Sequence, residues 1–167
     1  CHPLAWRKLS NHDVTLWHTT SGKATEPWLR ENDPGALMVA GGSSVGLSAM
    51  HLGGLLGYRR FRVYGMDGSY RDGARHAGEH RGHAHRPIEW KVGRETFRTS
   101  EIMQNANQEF INMHYIFPVF TVVHGDGLLP AMCDEHPQLR NLARAGTEKS
   151  ERVLKARYVE LMEMETA

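Results

Sequence analysis

The sequence is short of the features that mark several protein classes. It holds only two cysteines in 167 residues, Cys1 and Cys133. Two thiols so far apart make neither a disulfide framework nor a zinc-finger spacing, and free thiols suit a reducing compartment. Charge of one sign is also missing, since the net charge is +1 with histidine neutral. That balance gives no electrostatic case for nucleic acid or an anionic membrane surface as a partner. No apolar run approaches the roughly 18 residues that a bilayer span needs. What remains is an ordinary globular composition, 40% apolar and 23% charged. It is long enough for one domain with its own core, and the expected location is cytoplasmic. The unusual count is eleven histidines, which titrate near neutral pH and can also bind metal. The chain starts at Cys1, close to a strand, and reads as a fragment of a fold lacking its N-terminal part.

Along the chain, Asp13–His18 alternates and predicts a short strand. Thr19–Pro34 is polar, contains Gly22, Pro27 and Pro34, and predicts a loop with one helical turn near Trp28. Ala36–Ala40 is a continuous apolar run of the kind that forms a strand buried on both faces. Gly41-Gly42-Ser43-Ser44-Val45-Gly46 follows at once. An apolar helix then carries small residues at Gly46, Gly53 and Gly54, with Gly57 as its C-terminal stop. Phe61–Gly65 is the next strand, completing an expected βαβ unit. Arg71–Pro87 is a long polar loop holding His76, His80, His83 and His85. Ile88–Arg98 reads as a hairpin turning near Gly93. Thr99 or Ser100 caps a helix reaching Tyr115, with Met103, Ala106, Phe110 and Met113 on its apolar face. Val119–His124 is a strong strand ending in Gly125-Asp126-Gly127. A charged helix over Glu148–Glu165 closes the chain. The expected architecture is α/β, Rossmann-like, with a mostly parallel sheet flanked by helices and a small hairpin insert. The expected division is a nucleotide-binding domain over residues 1–146 and a C-terminal helix over 147–167.

Three groups of residues carry candidate chemistry. A nucleotide phosphate needs several backbone N–H groups aimed at it, and a glycine turn feeding a helix N-terminus supplies them. Gly41, Gly42 and Gly46 permit close approach, and Ser43 and Ser44 add hydroxyls. The alternative is a tight turn with no ligand. The loop fits neither GxGxxG nor the lysine-bearing P-loop, which argues against a dinucleotide dehydrogenase or a Walker-type ATPase. Asp67 stands just past a strand end, where ligands bind in open α/β sheets. It can hold Mg²⁺ on a polyphosphate or accept from a ribose hydroxyl, or it can simply form the Asp-Gly turn. Ser69 and Tyr70 continue that turn, and Asp126 and Gly127, beside His124, end another strand; all four join the candidate nucleotide-binding set. Among the loop histidines, His76 is the best candidate acid/base because it lies nearest Asp67. The four together can instead bind zinc, although their spacing is not a familiar zinc signature, or they can simply be solvated, as exposed histidines in an Arg- and Gly-rich loop more often are.

The run GGSSVGLSAMHLGGLLGYRRFRVYGMDGSY over residues 41–70, followed by His76-Ala77, resembles the 6-hydroxymethylpterin diphosphokinase MptE-like family. The same pattern recurs in motility accessory factor proteins and, more distantly, in bacterial sialyltransferases. The Gly93-Arg94 hairpin, the helix after Thr99 and Gly125-Asp126-Gly127-Leu128-Leu129-Pro130 extend the likeness. The resemblance implies a Rossmann-like fold and a transferase that moves diphosphate from ATP to a hydroxymethyl acceptor with Mg²⁺. In that case residues 41–46 meet the phosphates, Asp67 lies near metal or ribose, and His76 takes the acid/base position. The sialyltransferase likeness implies instead a nucleotide-sugar donor, and a third possibility is a non-catalytic nucleotide-binding module. On each reading the partners are a nucleotide and, for an enzyme, a small acceptor.

Overall fold

The structure is a computed structural model and describes residues 17–19, 25–70 and 86–156. It divides into two compact units, Cys1–Gly41 and Gly42–Ala167.

In the first unit, β1 (His18–Thr19) and β2 (Met38–Val39) pair in parallel, His18 opposite Met38. Between them lies α1 (Thr25–Asn32), where the polar composition predicts a loop with a single turn. Local interactions account for the longer helix. Glu26 and Arg30 form an i,i+4 pair at 2.7 Å, and the Asn32 amide donates to the Trp28 carbonyl at 2.8 Å. Pro27 sits in the first turn, where its missing N–H costs nothing, and Leu29 is buried. The strand expected over Asp13–His18 falls mostly outside the described residues.

The second unit is mixed α/β, with a parallel three-stranded sheet flanked by helices. Its elements are α2 (Val45–Leu55), β3 (Arg60–Val63), β4 (Ile88–Val92), β5 (Glu95–Thr99), α3 (Glu101–Ile116), β6 (Phe120–Val123), α4 (Leu128–Met132), β7 (Leu142–Arg144) and α5 (Glu148–Lys155). The strand order is β3-β6-β7, with Phe61 opposite Thr121 and Val122 opposite Ala143. The expected βαβ unit from β2 through α2 to β3 does not form within one sheet. Its two strands belong to separate sheets, and the parallel pairing of β3 is instead with β6. Hydrogen bonding therefore links residues about sixty positions apart, and the β4–β5 hairpin and α3 make the crossover.

Packing follows residue pattern. All four β6 residues are buried, as expected for a parallel strand covered on both faces. Val63 and Val123 join Leu47, Met50, Phe110 and Ile111 from α2 and α3 in one core. Phe120, Val122 and Ala143 join Val153 of α5 in a second. Burying a side chain such as Phe110 contributes roughly 2–3 kcal/mol. Small residues bring α2 in close, since a Cβ at Gly53 would strike Phe61 and one at Gly54 would strike Phe117. The helix ends in a Schellman motif, with Gly57 N–H on Gly54 O at 3.1 Å and Tyr58 N–H on Gly53 O at 3.0 Å. Gly57 holds φ +95 there, which only glycine adopts without strain. Ser100 caps α3 by accepting from Met103 N–H at 3.3 Å, as its position predicts. The C-terminal helix is described only through Lys155 of the expected Glu148–Glu165. No helix among the described residues is long and apolar enough to cross a membrane.

Candidate functional site at the carboxyl edge of the sheet

The strands β3, β6 and β7 run in parallel, so their carboxyl ends lie on one edge. Three segments of the second unit meet beside it: Gly42–Gly46 before α2, the turn after β3, and the turn after β6. Asp67 joins the last two. Its carbonyl accepts from Leu129 N–H at 2.9 Å. Its carboxylate Oδ1 lies against Gly125, where a Cβ would stand only 2.5 Å away, and its main chain covers Gly127 equally closely. Asp67 and Gly127, each placed at a strand end by the sequence, are neighbours in the fold. Asp126, between the two glycines, is exposed.

The rest of the β3 turn is anchored by its own polar atoms. Ser69 Oγ accepts from Leu128 N–H at 3.1 Å, capping α4 from a distance. The Gly68 carbonyl accepts from Thr99 Oγ1 at 2.8 Å and from Asn107 Nδ2 at 3.2 Å. Tyr70 N–H donates to the Arg98 carbonyl at 2.7 Å. Gly68 has φ +66, and a Cβ there would overlap the Asn107 amide.

The glycine loop is arranged differently. Ser44 is the N-cap of α2, its Oγ accepting from Leu47 N–H at 3.3 Å. A Cβ on Gly42 would strike Leu47, and one on Gly46 would strike the Met66 sulfur, so the loop packs directly on the β3 turn. Ser43 N–H donates to Glu109 Oε2 at 2.8 Å, across 66 residues of sequence. The helix start therefore already holds an anion, which its partial positive charge favours. Gly41 closes the first unit and Gly42 opens the second.

Other reactive groups are accounted for elsewhere. His76, His80, His83 and His85 lie outside the described residues. His114 is a core residue, bonded through Nδ1 to the Phe110 carbonyl at 2.8 Å and through Nε2 to Thr121 Oγ1 at 2.7 Å. Burial pulls its pKa down to about 4, against the opposing effect of the Phe110 carbonyl. Burial, aided by the Asp134 charge, pushes the Cys133 thiol up to about 12, which leaves it inert as a nucleophile. Among the described residues no three His, Cys, Asp or Glu side chains cluster to hold a metal ion. Mg²⁺ on a polyphosphate requires only one or two carboxylates, because the phosphates and water complete its shell. Asp67, half-buried at this edge, and the exposed Asp126 are the carboxylates the two turns offer for that role.

An open hollow of about 380 Å³ lies at the opposite, amino end of the strands, lined by Gly57, Tyr58, Arg59, Arg60 and Phe120. Both arginines act at helix ends there. Arg59 donates to Gly54 O at 2.5 Å and Arg60 to Ala156 O at 3.0 Å, satisfying carbonyls that helix C-termini leave open. The hollow is a junction of helix ends.

Of the residues that fasten the two turns, sequence reading names Thr99 only as a candidate helix cap and misses Asn107 and Glu109. A signal existed for Asn107, which falls with His114 on the Met103–Phe110 stripe of α3, where a polar residue is out of place. Glu109 gives no such signal, because an exposed helical glutamate is ordinary. Compared with protein-family models, curated proteins and solved structures, the chain matches none of them.

Proposed function

We propose that the chain is a nucleotide-dependent transferase of Rossmann-like fold, with residues 42–46 holding phosphate. The reaction we favour is transfer of diphosphate from ATP to a hydroxymethyl acceptor, as the resemblance over residues 41–70 implies. The observation that carries the reading is the Ser43 N–H on the Glu109 carboxylate at 2.8 Å. A backbone donor at a helix start that already takes an oxyanion from its own chain is built to take a phosphate oxygen.

In the reaction, the acceptor hydroxyl oxygen forms a bond to the β-phosphorus of ATP. The bond from that phosphorus to the oxygen bridging it to the α-phosphate breaks, AMP leaves with the electron pair, and the hydroxyl proton passes to a base. The loop positions the donor, and Glu109 withdraws when phosphate takes its place. Asp67 is the residue to hold Mg²⁺, which when bound neutralises phosphate charge. The closeness of Gly125 and Gly127 keeps Asp67 from swinging. His76 is the proposed base on the strength of the resemblance.

The test is thermal shift of the chain against ATP, ADP, CTP, CMP and nucleotide-sugars, with and without Mg²⁺. A ligand at about a hundred times its Kd adds roughly 2.7 kcal/mol of stability. The expected result is a Mg²⁺-dependent preference for ATP, with AMP released when a hydroxymethylpterin is added. A preference for cytidine nucleotides replaces diphosphate transfer with glycosyl transfer, and no shift with any nucleotide ends the proposal.

A further inference from the structure

Two rings stand side by side on the rung just beyond the strands. The β3–β6 pairing is in register to Val63 and Val123, and His124 N–H continues it by donating to the Val63 carbonyl at 2.8 Å. The next residues, Tyr64 and His124, stack with centroids 4.1 Å apart and planes 17° from parallel. The proposed mechanism uses neither ring. The pair is not ordinary core, because Tyr64 is 64% exposed. With the imidazole covering one face of the phenol, that exposure leaves the other face open.

His124 adds a second observation. Its Nε2 is shut off from solvent and has no hydrogen-bond partner among the described residues. A buried, unpaired nitrogen costs stability, so a rung used only for packing would be better served by phenylalanine. An aromatic face held flat by a parallel ring behind it is the form of a base-stacking platform. Its place suits one. Tyr64 follows β3 directly and so stands at the carboxyl edge of the sheet.

We infer that Tyr64, backed by His124, stacks on the nucleobase of the bound ligand. This subsite rests on the proposed nucleotide reading for the class of its ligand, but not for its own ring chemistry. Stacking tolerates either a purine or a pyrimidine, so the base belongs to ATP or to a cytidine nucleotide, and the test separates the two.

The full chain is titrated by calorimetry with adenosine, cytidine, ATP with Mg²⁺, and tripolyphosphate, as wild type and as Tyr64→Ala and Tyr64→Phe. The expected result is that Tyr64→Ala weakens the nucleoside that wild type binds more tightly by about ten-fold or more and leaves tripolyphosphate unchanged. Tyr64→Phe, which keeps the ring, retains nucleoside binding. The nucleoside affected identifies the source of the base. If wild type binds neither nucleoside, or if Tyr64→Ala binds both as tightly as wild type, the stacking subsite is overturned. If Tyr64→Phe loses as much as Tyr64→Ala, the contact is the hydroxyl and stacking is again overturned. Nucleoside binding that depends on Tyr64, in a chain that binds neither ATP nor tripolyphosphate, upholds the subsite and removes the phosphate reading. ATP binding indifferent to Tyr64 does the reverse.

Discussion

The turn at Met66–Tyr70 and the loop at Gly42–Gly46 both carry glycine and serine and pack against each other, but their polar atoms have different uses. In the first, the Asp67 and Gly68 carbonyls, Ser69 Oγ and Tyr70 N–H are all bonded within the fold. In the second, Ser44 makes a local cap, while Ser43 N–H is held by one carboxylate from an exposed residue of α3. Helix α3 serves both, with Asn107 fastening the turn and Glu109 resting on the loop. The contrast separates scaffold from seat. A turn whose donors and acceptors are consumed internally supports a site, and a loop closed by one displaceable side chain can receive a ligand.

The sharpest way to break this contrast is Gly68→Ala. It forces a Cβ into the Asn107 amide at φ +66, and left-handed strain and overpacking together cost about 3 kcal/mol. Urea unfolding should show that loss, whereas a loss below about 1 kcal/mol would mean that the turn is not the anchored partner. A second probe acts through α3 itself. His114 is neutral in the fold, its pKa lowered from 6.5 to about 4. The unfolded chain therefore takes up a proton first as pH falls. The stabilisation is fully present above about pH 6.5, declines below it and is gone near pH 4, a span of order 3 kcal/mol. Unfolding free energies measured between pH 7.5 and 4 should follow that slope, and His114→Gln should flatten it. The smallest effects come from a paired comparison. Asn107→Ala removes one of two donors to the Gly68 carbonyl and should cost about 1–2 kcal/mol. Glu109→Gln should change stability by no more than about 0.5 kcal/mol and tighten ATP binding, because a neutral amide competes less well for the loop. Equal destabilisation by the two variants would erase the distinction.

Legibility in the sequence tracks how local the cause is. The hairpin around Gly93, the Ser100 cap and the stop at Gly57 were readable because turn and cap chemistry acts over a few residues. The apolar run of β6 was readable because a doubly covered strand needs one. Helix α1 was not, since its Glu26–Arg30 pair lies inside a stretch whose glycine and prolines signal a loop. The partner of β3 was not readable either, because strand pairing across sixty residues leaves no mark in spacing. The nearness of Asp67 to Gly127 follows from both standing at ends of neighbouring parallel strands. Ser69 looks like a ligand donor in sequence and acts in the fold as a remote cap. Glu109 becomes visible only when α3 is laid beside the glycine loop.

That remote cap has a consequence for the order in which the chain assembles. Helix α4 has five residues, too few to persist alone. Its Leu128 and Leu129 amides are held by Ser69 and Asp67 of a turn some 59 residues earlier. It cannot seed folding and must form after β3 has docked on β6. Those two amides consequently serve as a built-in gauge: in hydrogen exchange they open when the β3 turn lets go, and they report its closure without any label or ligand.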